Sequence, residues 1–107
     1  MPIIRLDYDN EKLDDGQVLL LSNAIQKIVS DVTQIEDVFV YGNTPRIKVR
    51  IAPVEIFIEM SSRKIKDEGV LLTEIKTRLS QWKKENNIQY PMNLTLIPMN
   101  WKIEIGI

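Results

Sequence analysis

The feature that most constrains the fold is an internal echo: a proline-led β-rich run, a long helical pattern and a second β-rich run occur twice, about fifty residues apart. Pro2 of PIIRLDY matches Pro53 of PVEIFIE, Val18-Leu19-Leu20 matches Val70-Leu71-Leu72, and Asn43 after the second strand matches Asn100 after LTLIPM. A strand, helix and strand in that order form a βαβ unit whose two strands run parallel. Two such units, of about residues 2–43 and 53–100, can share one sheet and place both helices over one of its faces. A chain of 107 residues closes one hydrophobic core but not two, so residues 1–107 are read as a single domain.

The pattern within each half supports this reading. Residues 2–8 carry a β-branched run that ends at the polar turn Asp9, Asn10, Glu11. Asp14 or Asp15 caps a helix in which Val18, Leu21, Ile25, Ile28 and Val32 recur at helical spacing up to about Thr33. Residues 37–41 (DVFVY) form a strand stopped by Gly42, Asn43, Thr44 and Pro45. In the second half, residues 54–60 form a strand. Asp67 opens a helix facing inward through Leu71, Leu72, Ile75, Leu79 and Trp82, and residues 94–97 form a further strand. Two short extra strands are expected: residues 46–51 (RIKVRI), which alternate strictly, and residues 101–107, which alternate Trp, Ile, Ile, Ile against Lys, Glu, Gly. The fold class is α+β, with order β-α-β-β-α-β, two pseudo-repeated units, two helices on one face of a four-stranded mixed sheet, and short extra strands. Ile3, Val38, Val40, Val54, Ile56 and Ile58 supply more apolar surface than two helices hide, which points to self-association through the sheet. A ferredoxin-like domain shares the element order but would make the sheet wholly antiparallel.

Several functions are excluded by what the chain lacks. With no cysteine and no histidine, it cannot form disulfides, thiolate nucleophiles, imidazole acid/base pairs or the usual zinc sites. No stretch has calcium-loop spacing, so no metal and no cofactor are expected. A net charge of −1 provides no field for a polyanion, and the few scattered aromatic residues form no base-stacking platform, so no nucleic acid is expected. No apolar tract is long enough for a membrane span. Arg5 and Asp7 interrupt any secretory leader, giving a soluble, cytoplasmic expectation.

The residue with the most distinctive potential chemistry is Pro2. Once Met1 is removed, its secondary amine is a compact base on a rigid ring. An α-amino group starts near pKa ~8, and burial or neighbouring cations lower it, so the neutral amine is populated at physiological pH. Arg46, Lys48 and Arg50 can bind an anion, or equally act as charged guards of a sheet edge. Glu55 and Glu59 pose a similar choice between acids in a cleft and exposed ion-pair partners. Tyr8, Tyr41 and Tyr90 read as core residues with wet hydroxyls.

Through MPIIRLDY, PVEIFIEMSSRKIKDEGVLLTEIKTRLSQWKKE and LTLIPMN, the whole chain resembles the tautomerase superfamily. That superfamily includes 4-oxalocrotonate tautomerase, 5-carboxymethyl-2-hydroxymuconate isomerase and macrophage migration inhibitory factor. The nearest likeness is to a bacterial branch known as a domain of unknown function. The resemblance implies a homotrimer with sites at subunit boundaries around the amino-terminal proline, which maps to Pro2. It implies keto-enol tautomerisation of a small anionic substrate, a carboxylated or aromatic 2-oxo acid. The carboxylate-binding arginine of the short tautomerases maps to Lys12, which keeps the charge but loses the bidentate fork. A second arginine of that group falls at Phe39, and the lysine of the inhibitory-factor branch falls near Gln34. Arg46 and Arg50 are further cation candidates, and Asn100 and Trp101 are candidates for the pocket wall. The missing cations at Phe39 and Gln34 favour the rival reading, a non-catalytic oligomer that keeps the fold.

Overall fold

The computed structural model describes residues 1–107. The chain runs β1 (Ile3–Tyr8), α1 (Asp15–Thr33), β2 (Phe39–Asn43), β3 (Val54–Ser61), a 3-10 turn (Ser62–Lys64), α2 (Glu68–Glu85) and β4 (Met92–Met99). The strands form one four-stranded sheet of order β2-β1-β3-β4. Strand β1 is parallel to β2 and β3 is parallel to β4, whereas β1 and β3 meet antiparallel at the centre. Each parallel pair is one βαβ unit, so the expected duplication is present and the wholly antiparallel alternative is ruled out.

The helix starts show the duplication at atomic detail. The Asp14 carboxylate accepts the Gln17 N–H at 2.8 Å, and the Gln17 side chain accepts the Asp14 N–H at 2.9 Å, closing a capping box. In the second half the Asp67 carboxylate accepts the Val70 N–H at 3.0 Å. Both caps precede an acidic residue and a glycine, as Asp14-Asp15-Gly16 and Asp67-Glu68-Gly69. A methyl group on either glycine would lie against the capping oxygen, at 3.3 Å for Gly16 and 3.5 Å for Gly69. Helix α1 ends at Gln34, whose φ of 58° is left-handed.

Alternation along the strands decides where the core lies. Ile4 and Leu6 of β1 and Val54, Ile56, Ile58 and Met60 of β3 are buried on the helix-covered face. All of these but Met60 form one cluster with Val18, Leu21, Ile25 and Val29 of α1 and Ile75 and Leu79 of α2. Of the six residues expected to leave apolar surface on the other face, Val38, Val54, Ile56 and Ile58 lie in this core and Val40 packs against it, so only Ile3 is on the uncovered face. The uncovered face carries three cross-sheet rows, Phe39-Ile3-Glu59-Ile97, Tyr41-Arg5-Phe57-Thr95 and Asn43-Asp7-Glu55-Asn93. Charge dominates its centre. Arg5 binds Asp7 at 3.1 Å, lies 3.7 Å from Glu59 and stacks 4.4 Å from the Phe57 ring centroid.

The two extra strands do not form within the chain. Residues 46–51 are mostly bends and residues 101–107 take part in no regular pairing. Alternation prepares a segment for a ladder, but a strand also needs an edge to hydrogen-bond, and neither segment meets one here. Their apolar side chains are left in solvent, with Val49 at 100%, Ile105 at 72% and Ile107 at 108% relative exposure. No helix is long and apolar enough to cross a membrane.

Candidate active site

Pro2 immediately precedes β1, and its ring is buried on the helix side, in line with Ile4 and Leu6. Its carbonyl accepts the Phe39 N–H at 3.2 Å, fastening the chain start to the start of β2. The end of β3 and the 3-10 turn lie at this same end of the sheet, because Ile3 pairs with Glu59 and β3 runs on to Ser61. The end of β4 lies here too, since Met99 is level with Ser61. Asn100 and Trp101 therefore emerge at the Pro2 end, two strands away or about 10 Å. Trp101 is half-buried and Asn100 is exposed.

The candidate cations lie elsewhere. Lys12 sits beyond the far end of β1, about 20 Å from Pro2 at the rise of an extended strand. Arg46, Lys48 and Arg50 are at that far end as well, and they do not share one face. Lys48 turns inward onto the β1–α1 turn, with Nζ 2.9 Å from Asp9 Oδ1 and a further hydrogen bond to the Asn10 side chain. Asp9 is the one buried charged residue. Its carboxylate also accepts the Glu11 N–H at 3.0 Å. The Lys48 hydrogen bond, then the Glu11 N–H, hold the Asp9 carboxyl below its ordinary pKa, outweighing the opposing effect of desolvation. Arg46 lines a shallow groove beside Asn10, Glu11 and Lys48. Arg50 lines a different cleft, of about 540 Å³, between the uncovered sheet face and residues 44–52.

The sequence reading passed over a second set of cations at the Pro2 end. Lys64 and Lys66 follow β3 and border a hollow of about 420 Å³ together with Thr33 and Gln34 at the end of α1. The signal was available in SSRKIK, a basic run directly after a strand. Gln34 is tied to its own helix, donating from Nε2 to the Asp31 carbonyl at 2.6 Å. Phe39 sits on the edge strand, partly exposed on the uncovered face. One chain thus places Pro2, Asn100 and Trp101 at one end of the sheet and Lys12, Arg46 and Arg50 at the other. Glu59 belongs to the Arg5 network and Glu55 accepts from the Asn93 amide at 2.8 Å.

Two βαβ units joined antiparallel at the centre of one sheet, with both helices on one side and a proline heading β1, define the tautomerase/MIF fold. The solved structures to which this chain is similar carry that fold. One is a domain of unknown function from Sebaldella termitidis, at 13% identity and TM-score 0.65, covering 100% of this chain and 98% of the other. Another is 5-carboxymethyl-2-hydroxymuconate delta-isomerase, at 12% identity and TM-score 0.65, covering 99% of this chain and 89% of the other. A third is malonate semialdehyde decarboxylase, solved as wild type, inactivated enzyme and a variant with its first-residue proline replaced by alanine. Its identity is 13% and its TM-score 0.66, covering 98% of this chain and 92% of the other. No protein-family model and no curated protein matches the chain.

Proposed function

We propose that the protein is a cofactor-independent tautomerase or isomerase in which Pro2, freed by removal of Met1, is the general base. The carrying observation is the seat of Pro2: it heads β1 of this fold with its ring anchored in the core. The neutral amine takes a proton from the carbon next to the carbonyl of a small carboxylated or aromatic 2-oxo acid. The C–H electron pair becomes the new C=C bond, and the carbonyl π pair moves to oxygen as an enolate that a cation stabilises. Proton return, to oxygen or to another carbon of the conjugated system, completes the isomerisation.

Lys12 is the first cation in this reading, with Arg46 or Arg50 second, and each reaches Pro2 only across a subunit boundary. A homotrimer supplies that boundary. Its support is the exposed alternating side chains of residues 46–51 and 101–107, which lack a ladder in their own chain and are ready to pair with the sheet edge of another. Asn100 and Trp101, which lead into the second of these segments, stand as pocket wall.

The test is subunit complementation. Pro2→Ala lowers turnover of phenylenolpyruvate or 2-hydroxymuconate by at least about a hundredfold, within the range of general-base losses. Lys12→Ala does so through weaker substrate binding, and co-refolded mixtures of the two regain activity because some boundaries then hold both intact residues. Intact mass checks loss of Met1. Parental activity in Pro2→Ala sinks the mechanism, and mixtures no better than either variant sink the shared site. The alternative, a non-catalytic oligomer of this fold, draws on the missing cations at Phe39 and Gln34 and on the separation of Pro2 from Lys12 within one chain.

A further inference from the structure

The bond that must break to free the Pro2 amine joins Met1 to Pro2, and the fold closes over it. Strand β1 is interior to the sheet, with β2 on one side and β3 on the other. Ile3, the residue after Pro2, is paired on both sides, with Phe39 and with Glu59. The Pro2 ring is under 2% exposed, and its carbonyl accepts the Phe39 N–H at 3.2 Å. Ile4 is 0% exposed on the same face. Met1 is itself half-buried, so a single, partly covered residue precedes the fastened ring.

Removal of that residue is a hydrolysis. Water adds to the Met1 carbonyl carbon, the C–N bond to Pro2 breaks, methionine leaves with the new carboxylate, and a proton goes to the prolyl nitrogen. An aminopeptidase that catalyses this step must hold the residues on both sides of the bond, the proline ring included, in its own cleft. One residue spans at most about 3.6 Å, so Met1 cannot carry its carbonyl away from a ring that stays in the core. The enzyme therefore reaches the bond when the start of β1 opens. Opening breaks the Phe39 hydrogen bond and exposes Pro2 and Ile4 to water, and a strand with neighbours on both sides does not fray as a free terminus does. Subunit assembly adds cover and removes none, so this closure holds in any oligomeric state.

We propose that the fold fixes when the amine is made: Met1 is removed from the nascent or unfolded chain, and a chain that folds first keeps it. In that chain the Pro2 nitrogen is a tertiary amide without a basic lone pair. The fraction of competent protein is then set by a race between an aminopeptidase and folding, and a missed cleavage is recovered only as fast as β1 opens. The timing stands on burial and strand pairing; its consequence for activity rests on the proposed role of Pro2.

The test uses the full chain, translated in a cell-free system with methionine aminopeptidase inhibited, folded, and freed of the inhibitor. Purified methionine aminopeptidase is added and intact mass follows the loss of Met1, with a synthetic peptide of residues 1–10 as the open reference. The folded chain loses Met1 at least about a hundredfold more slowly than the peptide, because cleavage tracks the open population. Translation with the aminopeptidase active yields chain without Met1. Ile58 is paired with Ile4 and 0% exposed, so Ile58→Ala, which loosens the seat of β1, speeds removal about thirtyfold or more. Ile58→Val, a gentler loss that keeps the fold, speeds it about two- to tenfold. Thr95→Ala, on the uncovered face, leaves the rate as in the parent. A folded parent cleaved as fast as the peptide, Ile58 variants no faster than the parent, or Met1 retained when the aminopeptidase is active during translation overturns the proposal. Equal turnover of phenylenolpyruvate by folded chains with and without Met1 instead removes the general-base role of Pro2 and leaves the timing, which is read from mass, in place.

Discussion

Replacing the two helix caps, separately and together, tests whether the chain is built from two equivalent units. Asp14→Ala deletes a carboxylate that accepts the Gln17 N–H at 2.8 Å, and Asp67→Ala deletes the equivalent acceptor of the Val70 N–H at 3.0 Å. Loss of such a cap costs about 1 kcal/mol, within a range of roughly 0.5–2. The Gln17 side chain still accepts the residue-14 N–H after the first replacement, so the Asp14 loss should not greatly exceed the Asp67 loss. The two helices start at opposite ends of the sheet, because α1 follows the end of β1, α2 follows the end of β3, and those strands are antiparallel. Effects so far apart add, giving about 2 kcal/mol for the double variant. The assay is urea unfolding followed by far-UV circular dichroism at fixed protein concentration, with thermal melts shifted by about 4–8 °C for each kcal/mol. Asp67→Ser, which keeps a capping oxygen, recovers most of the loss. Parental stability in either alanine variant, or a double variant no worse than one single, refutes the equivalence of the caps.

The glycines beside those caps should differ. Gly69→Ala gains up to about 0.5–1 kcal/mol of helix propensity, whereas Gly16→Ala gains less because its methyl group crowds the Asp14 carboxylate at 3.3 Å; paired melts resolve the difference. Ile58→Ala, at 0% exposure in the central strand, costs about 2–5 kcal/mol by denaturant titration, whereas Thr95→Ala on the exposed face stays within about 0.5 kcal/mol. The Asp9 carboxyl is held below its ordinary 3.8, so the unfolded chain takes up this proton first as the solution is acidified. The contribution is complete above pH 3.8 and is lost as pH falls through the lower folded value; Asp9→Asn therefore flattens the acid limb of the stability curve. Deleting residues 100–107 leaves all four strands of the sheet in place and converts the assembly to a smaller species by light scattering; a truncated chain of parental mass ends the trimer reading.

The elements legible in the sequence were those whose signal is local. Periodicity located α1 and the start of α2, and the β-branched runs located β1 and β3, within about two residues of their observed ends. Strand β2 runs Phe39–Asn43, later than the expected 37–41, because its start is set by pairing of Phe39 with Ile3 rather than by its own composition. Residues 46–51 misled for a related reason: alternation describes which face a side chain would take but does not supply an edge to pair with. The sequence also could not show that Lys48 leaves its neighbours Arg46 and Arg50 to bind Asp9, a contact between residues 39 apart in the chain. Pro2 was legible as a candidate because its chemistry depends on being near the terminus. Its distance from Lys12 follows from the length of β1, and the grouping of Lys64 and Lys66 with Gln34 follows from the packing of two helix ends.

The antiparallel meeting of two parallel pairs also determines where the chain can be reconnected. Met99 and Met1 lie at the same end of the sheet, two strands apart, and residues 100–107 already extend beyond Met99. Joining Ile107 to Ile3 and opening the chain before Pro53 gives a circular permutant in which every strand keeps its neighbours. The new amino terminus would be Pro53, at the end of the sheet opposite Pro2, so the same fold would carry its prolyl amine at the opposite pole.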